Sequence, residues 1–285
     1  MKKYLELETI SENQCLYHYT KCSSLRNILK TGRLYATKSS FLNDTNEMDY
    51  ITYIATEVIR GIPNDEWRDV LLRQIVNTME EVKRHDTFVL SFSLDEDSIT
   101  LWSEFGDQTG YSAAFRGERL IQMIGKRQDI YCHGHVIYSF ERQKKILRHL
   151  LMEEFPSRAG IGFEKLMRQE VVCPENPEFR VFRKKLQKAM NIYAMFFKQQ
   201  EFAAENEYRI VFRNPDRDRI QFREKDGFLL PYIEIELAGE SRLPMDHITV
   251  APKNHVDLAK KGMVQYLDQL GYCIPVELSH LKLRY

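Results

Sequence analysis

Apolar and polar residues alternate over short runs of this chain, and longer stretches show the wider spacing of amphipathic helices. Side chains alternate between the two faces of a strand but recur about every 3.6 residues along a helix, so the two patterns predict different elements. Strands are predicted at 16–20, 33–37, 88–93, 111–115, 130–138, 232–237, 248–250 and 276–278, with a further strand beginning at Glu207. Helices are predicted at 25–29, 48–60, from after Pro63 to about 84, at 100–105 and at 255–270.

Small polar residues and a glycine mark the ends of the first predicted helix. Thr20 ends the preceding strand and can cap the next element of the chain, while Ser23 or Ser24 is expected to open the helix itself. Thr31 followed by Gly32 is typical of a helix that closes with a glycine C-cap.

The segment from about 141 to 198 is predicted to be mostly helical, with breaks near Pro156, 160–162 and 174–177. We interpret this segment as a helical insertion between strands rather than as a separate domain. The chain shows no internal repeat and no low-complexity tract. The pattern therefore predicts a single α+β domain over residues 1–285.

The stretch from Glu205 to Phe212 carries two carboxylates two residues apart, followed by β-branched and aromatic residues. Alternation along a strand places Glu205, Glu207 and Arg209 on one face. Ionisable groups this close can tune one another for acid–base or electrostatic work. The same pattern is also typical of a solvent-facing ladder of ion pairs, so the stretch alone leaves both interpretations open.

Composition narrows the class of protein. Hydrophobic residues make up 43% and charged residues 29% of the chain, which excludes a disordered protein. Lys plus Arg (41) equals Asp plus Glu (41), so only a local patch could hold a polyanion such as nucleic acid. The five cysteines form no C-x-x-C pair and no secretory signal is present, which predicts reduced thiols and a cytoplasmic location. No apolar run reaches the length of a membrane span, so no membrane association is expected.

Histidines are the first candidates for chemistry. His18 lies on the first predicted strand, where a hydrogen-bonded structural histidine is as typical as a functional one. His133 and His135 are two residues apart on a predicted strand and can share a face, but no third ligand accompanies them. No metal site is therefore predicted there.

Acidic and aromatic residues supply the other candidates. Four carboxylates could together hold a magnesium ion, which makes a metal-dependent nuclease or phosphodiesterase the alternative function. They are Asp44, Glu47, Glu205 and Glu207. Tyr35 and Trp102 are flat aromatics of the kind that a nicotinamide or base pocket needs, although core packing is the more common role of such residues.

An ordered set of short motifs resembles an uncharacterised bacterial domain family and spans nearly the whole chain. The motifs are His18-Tyr19-Thr20, Leu25 to Leu34 with Gly32, Asn43-Asp44 with Glu47, Ser91-Phe92-Ser93, Leu101-Trp102, Glu205-x-Glu207-Tyr208-Arg209, Val250 to Lys253 and Ser279 to Arg284. The opening is also similar to the ADP-ribosyltransferase superfamily, which includes the DarT toxins and the poly-ADP-ribose polymerases.

This resemblance implies an ADP-ribosyltransferase-like split β-sheet core and the use of NAD as a substrate. It implies that His18 bonds the nicotinamide-side ribose, that Tyr35 stacks on nicotinamide, and that Glu207 is the catalytic acid. In this interpretation His18 and Glu207 face each other across one cleft, and Glu205 orients or deprotonates the incoming nucleophile. Further contacts to NAD are assigned by the same resemblance to Tyr19, Thr20, Asn43, Asp44, Ser91, Ser93, Trp102 and Arg209. The chain carries His18 where the Arg-Ser-Glu branch of the superfamily has arginine, so its motifs combine two branches.

The implied function is transfer of ADP-ribose from NAD to a macromolecule, either nucleic acid or protein. Basic residues within 141–198 could supply the local patch for a nucleic-acid acceptor. By analogy with the family, the protein is expected to act as a bacterial toxin or anti-phage effector, with an antitoxin as a further partner. A non-catalytic binding module, in which the same residues are structural, stays open as a third interpretation.

Overall fold

A computed structural model describes residues 7–42, 47–106, 109–168, 171–237, 242–252 and 256–281. The chain divides into two compact units. The helical unit contains the described residues of 1–7, 39–86 and 136–202, and the sheet unit contains the described residues of 8–38, 87–135 and 203–285. The prediction that residues 1–285 form a single domain stays a prediction. No helix among the described residues is long and apolar enough to cross a membrane.

The described residues form one ten-stranded sheet. Its strands are β1 (Cys15–Thr20), β2 (Arg33–Lys38), β3 (Thr87–Ser93), β4 (Tyr111–Arg116), β5 (Cys132–His135), β6 (Glu207–Arg213), β7 (Ile220–Lys225), β8 (Phe228–Glu236), β9 (Met245–Val250) and β10 (Val276–Leu278). Strands β9 and β10 run parallel, and the other paired strands are antiparallel. The mixed α+β class is therefore confirmed.

The described residues also form ten α-helices. They are α1 (Cys22–Thr31), α2 (Glu47–Arg60), α3 (Asp65–Lys83), α4 (Ile99–Glu104), α5 (Gly117–Gly125), α6 (Phe140–His149), α7 (Phe155–Arg158), α8 (Phe163–Leu166), α9 (Pro177–Tyr193) and α10 (Val256–Gln269). All the predicted helices and strands occur at or within a few residues of the predicted positions. Helix α5 and strand β7 were not predicted.

Strand β3 is the centre of the sheet because three strands pair with it. Strand β6 pairs along the whole of one edge of β3. The other edge is shared, since β1 pairs with it only at Ser93 and β2 pairs with it only at Val89 and Phe88. No described strand pairs with residues 90–92 on this edge. The sheet is therefore split, with β4, β9 and β10 following β1 on one side and β8 and β7 following β2 on the other.

One face of the sheet is apolar and forms the main core of the sheet unit. Leu16, Leu90 and Ile210 lie on this face, each at most 1% exposed. Buried residues of α1, α5 and α10 belong to the same cluster. Burial of each such aliphatic side chain stabilises the fold by about 1.5–3 kcal/mol. Burial of this apolar face fixes the register of the strands, and hence the face from which every other strand residue projects.

The start of α1 differs from the prediction. Lys21 is the N-cap residue and makes no side-chain cap hydrogen bond, and Ser23 and Ser24 lie inside the helix. Thr20 therefore does not cap it. The predicted end is correct, because Gly32 adopts φ 66° and its N–H bonds to the carbonyl of Ile28 at 2.8 Å. Glycine reaches this left-handed conformation without steric cost, so the chain can reverse directly into β2.

The predicted helical character of 141–198 is confirmed, and its breaks lie where proline and glycine were expected to place them. Helix α6 passes through a π-helical turn at Leu150–Glu154 before Pro156, which cannot donate a backbone hydrogen bond. Pro177 opens α9, and the side chain of Asn176 accepts a bond from the Phe179 N–H at 2.9 Å.

A buried glutamine ties the helical unit together. The Gln143 amide on α6 donates to the carbonyls of Ile137 at 2.6 Å and Lys198 at 2.9 Å. Its carbonyl oxygen accepts from the Tyr50 hydroxyl at 3.1 Å. Ile137 also forms an isolated parallel bridge with Phe197. Because Gln143 is fully buried, these hydrogen bonds replace the ones that its side-chain amide would otherwise make to water.

Candidate functional site

The strand split is the feature that organises the candidate site. We use this name for residues 18–20 of β1, residues 33–36 of β2 and the unpaired edge of Leu90–Phe92 in β3. Both β1 and β2 run antiparallel to β3, and each diverges from it beside these three residues. Peptide groups on an unpaired strand edge can bond a ligand instead of a strand. The split therefore offers a place for a ligand within the sheet.

His18 lies at the β1 side of the strand split. Its ring contacts the Phe92 ring edge-on at a centroid distance of 5.7 Å. Burial lowers the pKa of His18 to about 4, partly offset by a hydrogen bond to the Ser91 backbone and reinforced by the positive charge of Arg223. The imidazole is therefore neutral near pH 7, with one ring nitrogen able to donate and the other able to accept.

Tyr35 and Arg223 lie at the β2 side of the strand split. The rings of Tyr35 and Tyr232 are 4.4 Å apart between centroids, and the Arg223 guanidinium carbon lies 5.6 Å and 5.8 Å from the two ring centres. The Tyr35 hydroxyl accepts a bond from the Asn27 amide at 3.2 Å. This wall thus combines a flat aromatic surface with a cation held over it. Sequence reasoning missed Arg223 because it missed β7.

Glu207 and Arg209 form a buried, two-pronged ion pair on β6. Arg209 donates through Nε at 2.8 Å and through a terminal nitrogen at 2.7 Å to the two carboxylate oxygens of Glu207. Their side chains are only 8% and 1% exposed. The register sets Glu207 opposite Ser93 and Arg209 opposite Ser91. The predicted row of charges on one face is confirmed for these two residues, and it is buried rather than solvent-facing.

The register does not bring His18 and Glu207 to one face. Tyr17 lies opposite Ser93, and Ser93 lies opposite Glu207, so these three side chains project from the same face. His18 follows Tyr17 and therefore projects from the other face, where its ring meets Phe92 of the main core. The expected arrangement of the two side chains facing each other across one cleft is not met. The backbone of β3 separates the two side chains.

Glu205 does not lie on the strand. It ends a 3-10 turn at Gln200–Glu205, and Asn206 with φ 42° then turns the chain into β6. The Ser93 hydroxyl donates to the Glu205 carbonyl at 2.8 Å, and the Asn206 amide donates to an Asp95 carboxylate oxygen at 2.8 Å. The prediction that Glu205 extends the charged row of Glu207 and Arg209 is wrong, because a left-handed residue interrupts the strand between them.

Tyr19, Thr20 and Trp102 are occupied by packing within the sheet unit. Tyr19 and Trp102 meet edge-on at 4.7 Å in a small second core. The Trp102 indole donates to Asp97 at 2.6 Å, and the Tyr19 hydroxyl donates to the Asp95 carbonyl at 2.8 Å. Thr20 is 8% exposed. These contacts are structural, and assignment of the three residues to a cofactor stays a prediction.

The remaining predicted site residues fall into two groups. Asn43 and Asp44 lie outside the described residues, and Glu47 is described only as the first residue of α2. His133 and His135 share a face, as expected, and both rings contact Tyr208. Among the described residues, no cluster with the spacing of metal ligands includes Glu205, His133 or His135.

Comparisons with known proteins give one partial match. A family model described as "Protein of unknown function (DUF2971)" matches residues 101–210. The matched segment runs from α4 into β6, so it includes Glu207 and Arg209 but not His18 or Tyr35. The comparison with curated proteins and the comparison with solved structures each returned no match. Over residues 101–210, then, the chain is similar to a family whose description assigns no function.

Proposed function

We propose that this protein is an NAD-dependent ADP-ribosyltransferase with an ADP-ribosyltransferase-like split sheet, and that NAD binds in the strand split. The single observation that carries the proposal is the break in pairing along Leu90–Phe92, where β1 and β2 leave the same edge of β3. A carboxamide such as that of nicotinamide carries both donor and acceptor atoms, so it can bond peptide groups on an edge without a partner strand, where the Ser91 backbone already has one hydrogen bond with His18.

The two walls of the strand split suit the rest of the dinucleotide. On the β1 side, the neutral imidazole of His18 can bond a ribose hydroxyl without a charge being desolvated. On the β2 side, Tyr35 supplies a ring for stacking on nicotinamide, and Arg223 supplies a cation for a pyrophosphate oxygen. The proposal thus assigns binding to groups that come from three different parts of the sequence.

Cleavage of the nicotinamide–ribose bond requires an anion near the reacting carbon. The bond breaks heterolytically, nicotinamide leaves with the electron pair, and the ribosyl cation is captured by a hydroxyl, amine or base nitrogen of the acceptor. Glu207 remains the acid that the resemblance assigns, but its carboxylate is already bonded to Arg209 and projects from the face opposite His18. Glu234 is a second carboxylate to test, because it lies directly opposite Tyr35 on β8.

The test is release of nicotinamide from NAD labelled in the nicotinamide ring, with and without cell lysate as a source of acceptors. We expect release by the wild-type protein, little release by His18→Ala, and full release by Glu224→Gln, an exposed strand acid outside the proposed site. Parallel reactions with Glu207→Gln and Glu234→Gln identify which carboxylate is needed. Absence of nicotinamide release under every acceptor condition would contradict the proposal.

Dependence on Mg²⁺ separates the transferase from the nuclease alternative. The transferase needs no Mg²⁺ in this scheme, so omission of Mg²⁺ should leave nicotinamide release unchanged, whereas magnesium-dependent cleavage of nucleic acid should stop. For the proposed toxin role, expression of the wild-type protein in bacteria should arrest growth, and His18→Ala should restore it. Co-expression of a neutralising partner should restore growth in the same way.

A non-catalytic binding module is the second candidate, and a specific observation favours it. The buried pair of Glu207 and Arg209 has the geometry of a structural ion pair, with each charge already satisfied by the other. This candidate predicts that NAD, if it binds at all, is recovered uncleaved. Wild-type and His18→Ala proteins would then affect growth equally.

A further inference from the structure

A second set of ionisable groups lies on the β9–β10 side of the sheet, where the register places His247 on the same face as Glu207. We infer that Glu96, His247 and Glu277 bind a divalent transition-metal ion, with Zn²⁺ as the best match to the donor set. His247 lies on β9, Glu277 on the neighbouring β10, and Glu96 in the loop that follows β3. One ligand atom from each residue lies within 4.8 Å of the other two.

The distances suit a metal ion after a small adjustment of two surface side chains. His247 Nε2 lies 3.3 Å from a carboxylate oxygen of Glu96. Zn²⁺ bonds nitrogen and oxygen at about 2.0–2.1 Å, so neighbouring ligand atoms in a tetrahedral site lie about 3.3 Å apart. The His247–Glu96 spacing already has this value. Glu96 and Glu277 are exposed and can rotate to complete the set.

The orientation of His247 directs a lone pair toward the two carboxylates. Its Nδ1 lies 3.2 Å from a carboxylate oxygen of Asp246, so in the tautomer that donates the Nδ1 proton to Asp246 the lone pair of Nε2 faces the two carboxylates. Nε2 is buried and makes no hydrogen bond, although it lies within ion-pair distance of Glu96. A carboxylate behind one ring nitrogen and a metal at the other is the usual support of a metal-binding histidine. A cation between Nε2 and the two carboxylates would offset the repulsion among them, as a proton on Nε2 also would.

Buried hydroxyls provide an independent sign of a missing ligand. Thr249 Oγ1 and Ser112 Oγ lie opposite each other on β9 and β4, are 3% and 1% exposed as residues, and have no hydrogen-bond partner. Thr249 shares the face of His247 and lies directly opposite Glu277. Buried hydroxyls without partners are rare and commonly mark an ion or an ordered water. Here they border the proposed ligands.

A neighbouring network of hydrogen bonds holds the segments of Glu96 and Glu277 together. Asp97 accepts bonds from the Trp102 indole at 2.6 Å, the Ser279 hydroxyl at 2.7 Å and the His280 N–H at 2.7 Å. Asp97 follows Glu96, and Ser279 lies two residues after Glu277, so this network fixes the loop of one ligand against the strand of another.

The donor set selects the class of metal. One imidazole with two carboxylates suits Zn²⁺, Mn²⁺ or Fe²⁺, whereas Mg²⁺ and Ca²⁺ favour sites made only of oxygen. Three protein ligands leave one tetrahedral position open. The ion would join β9 and β10 to the end of β3, and so brace one side of the split sheet.

The experiment uses the full chain after treatment with EDTA and removal of the chelator. ZnCl2 is titrated in competition with a chromophoric chelator, with MgCl2 in a parallel arm. We expect one high-affinity Zn²⁺ per chain, no comparable Mg²⁺ binding, and at least a tenfold weaker Zn²⁺ affinity for Glu96→Gln and for Glu277→Gln. Both substitutions change exposed side chains and should preserve the fold. Glu224→Gln, on β7 at the opposite end of the strand order, is the matched control and should bind as the wild type does.

A second readout excludes binding by cysteines. Co²⁺ substituted for Zn²⁺ should give a visible spectrum of nitrogen and oxygen ligation, without the thiolate charge-transfer band. Zn²⁺ binding that survives the combined Glu96→Gln and Glu277→Gln substitutions, a thiolate band, or no binding at all would overturn the inference. These measurements do not involve NAD, so their outcome is independent of the proposed transferase activity.

Discussion

Replacement of Glu207 by glutamine tests whether Glu207 and Arg209 form a buried ion pair rather than part of a solvent-facing ladder of charges. Had Glu207 faced solvent, as an exposed ladder of ion pairs implies, the substitution would cost little stability. In the structure it removes the counter-charge of Arg209, whose side chain is 1% exposed. Loss of one partner of a buried pair costs about 3–5 kcal/mol. Because glutamine keeps one acceptor oxygen, we expect about 3 kcal/mol, which lowers the ratio of folded to unfolded protein by roughly 150-fold.

The assay can be confined to the sheet unit. The chain has two tryptophans, Trp67 in the helical unit and Trp102 in the sheet unit. In a Trp67→Phe background, urea unfolding followed by fluorescence reports on the environment of Trp102. Glu234→Gln is the matched control, because it breaks a cross-strand pair with Arg33 whose side chains are 44% and 23% exposed. Such a surface pair contributes about 0.2–1 kcal/mol.

A double-mutant cycle completes the experiment. Replacing Glu207 and Arg209 together with glutamine removes both charges, so we expect the double variant to be more stable than the sum of the two single losses implies. If Glu207→Gln costs no more than Glu234→Gln, and the cycle shows no coupling, the pair does not act as a buried ion pair. The activity of Glu207→Gln can be attributed to chemistry only after correction for its loss of stability.

Three further predictions concern His18, Tyr35 and Gln143. Because the native pKa of His18 is lowered to about 4, the unfolded imidazole binds a proton between pH 6.5 and about 4 that the native one does not. The free energy of unfolding should therefore fall by at most about 3 kcal/mol as the pH is lowered across this range. His18→Gln should remove that part of the slope in urea titrations at the two pH values, and an unchanged slope would contradict the burial of the ring. Tyr35→Ala should reduce nicotinamide release about tenfold or more because it removes the stacking ring, whereas Tyr35→Phe should retain it; equal activity of the two variants would exclude stacking. Gln143→Leu should destabilise the helical unit by about 2–4 kcal/mol, since the carbonyls of Ile137 and Lys198 lose their buried donor, and unchanged hydrogen exchange across 136–202 would contradict this.

Most helices and strands could be predicted from the sequence because the signals for them lie within the elements themselves. Gly32 marks the end of α1 by a backbone conformation that glycine adopts most easily, and short apolar runs indicate β3 and β6. The two missed elements lack such signals. Strand β7 is almost wholly exposed, its apolar alternation ends after Ile220 and Phe222, and it exists through its pairing with β8. Helix α5 begins at Gly117 after Arg116, which makes no side-chain cap bond.

The candidate site was harder to predict because it depends on pairing between distant strands. Nothing in the local pattern states that β1 and β2 share one edge of β3, and the strand split arises only from that shared edge. The same holds for Arg223, which reaches Tyr35 from an unpredicted strand. The burial of Glu207 is also a tertiary property, since Glu-x-Arg has the same pattern on an exposed and on a covered strand. Register alone shows that its side chain and that of His18 project from opposite faces.

The most direct measurement is a crystal structure of the protein with a non-hydrolysable NAD analogue. The proposed function predicts density for the dinucleotide in the strand split, with the nicotinamide carboxamide bonded to the β3 edge at Leu90–Phe92 and its ring stacked on Tyr35. A dinucleotide bound elsewhere on the chain, or crystals that take up none at saturating concentration, would contradict it.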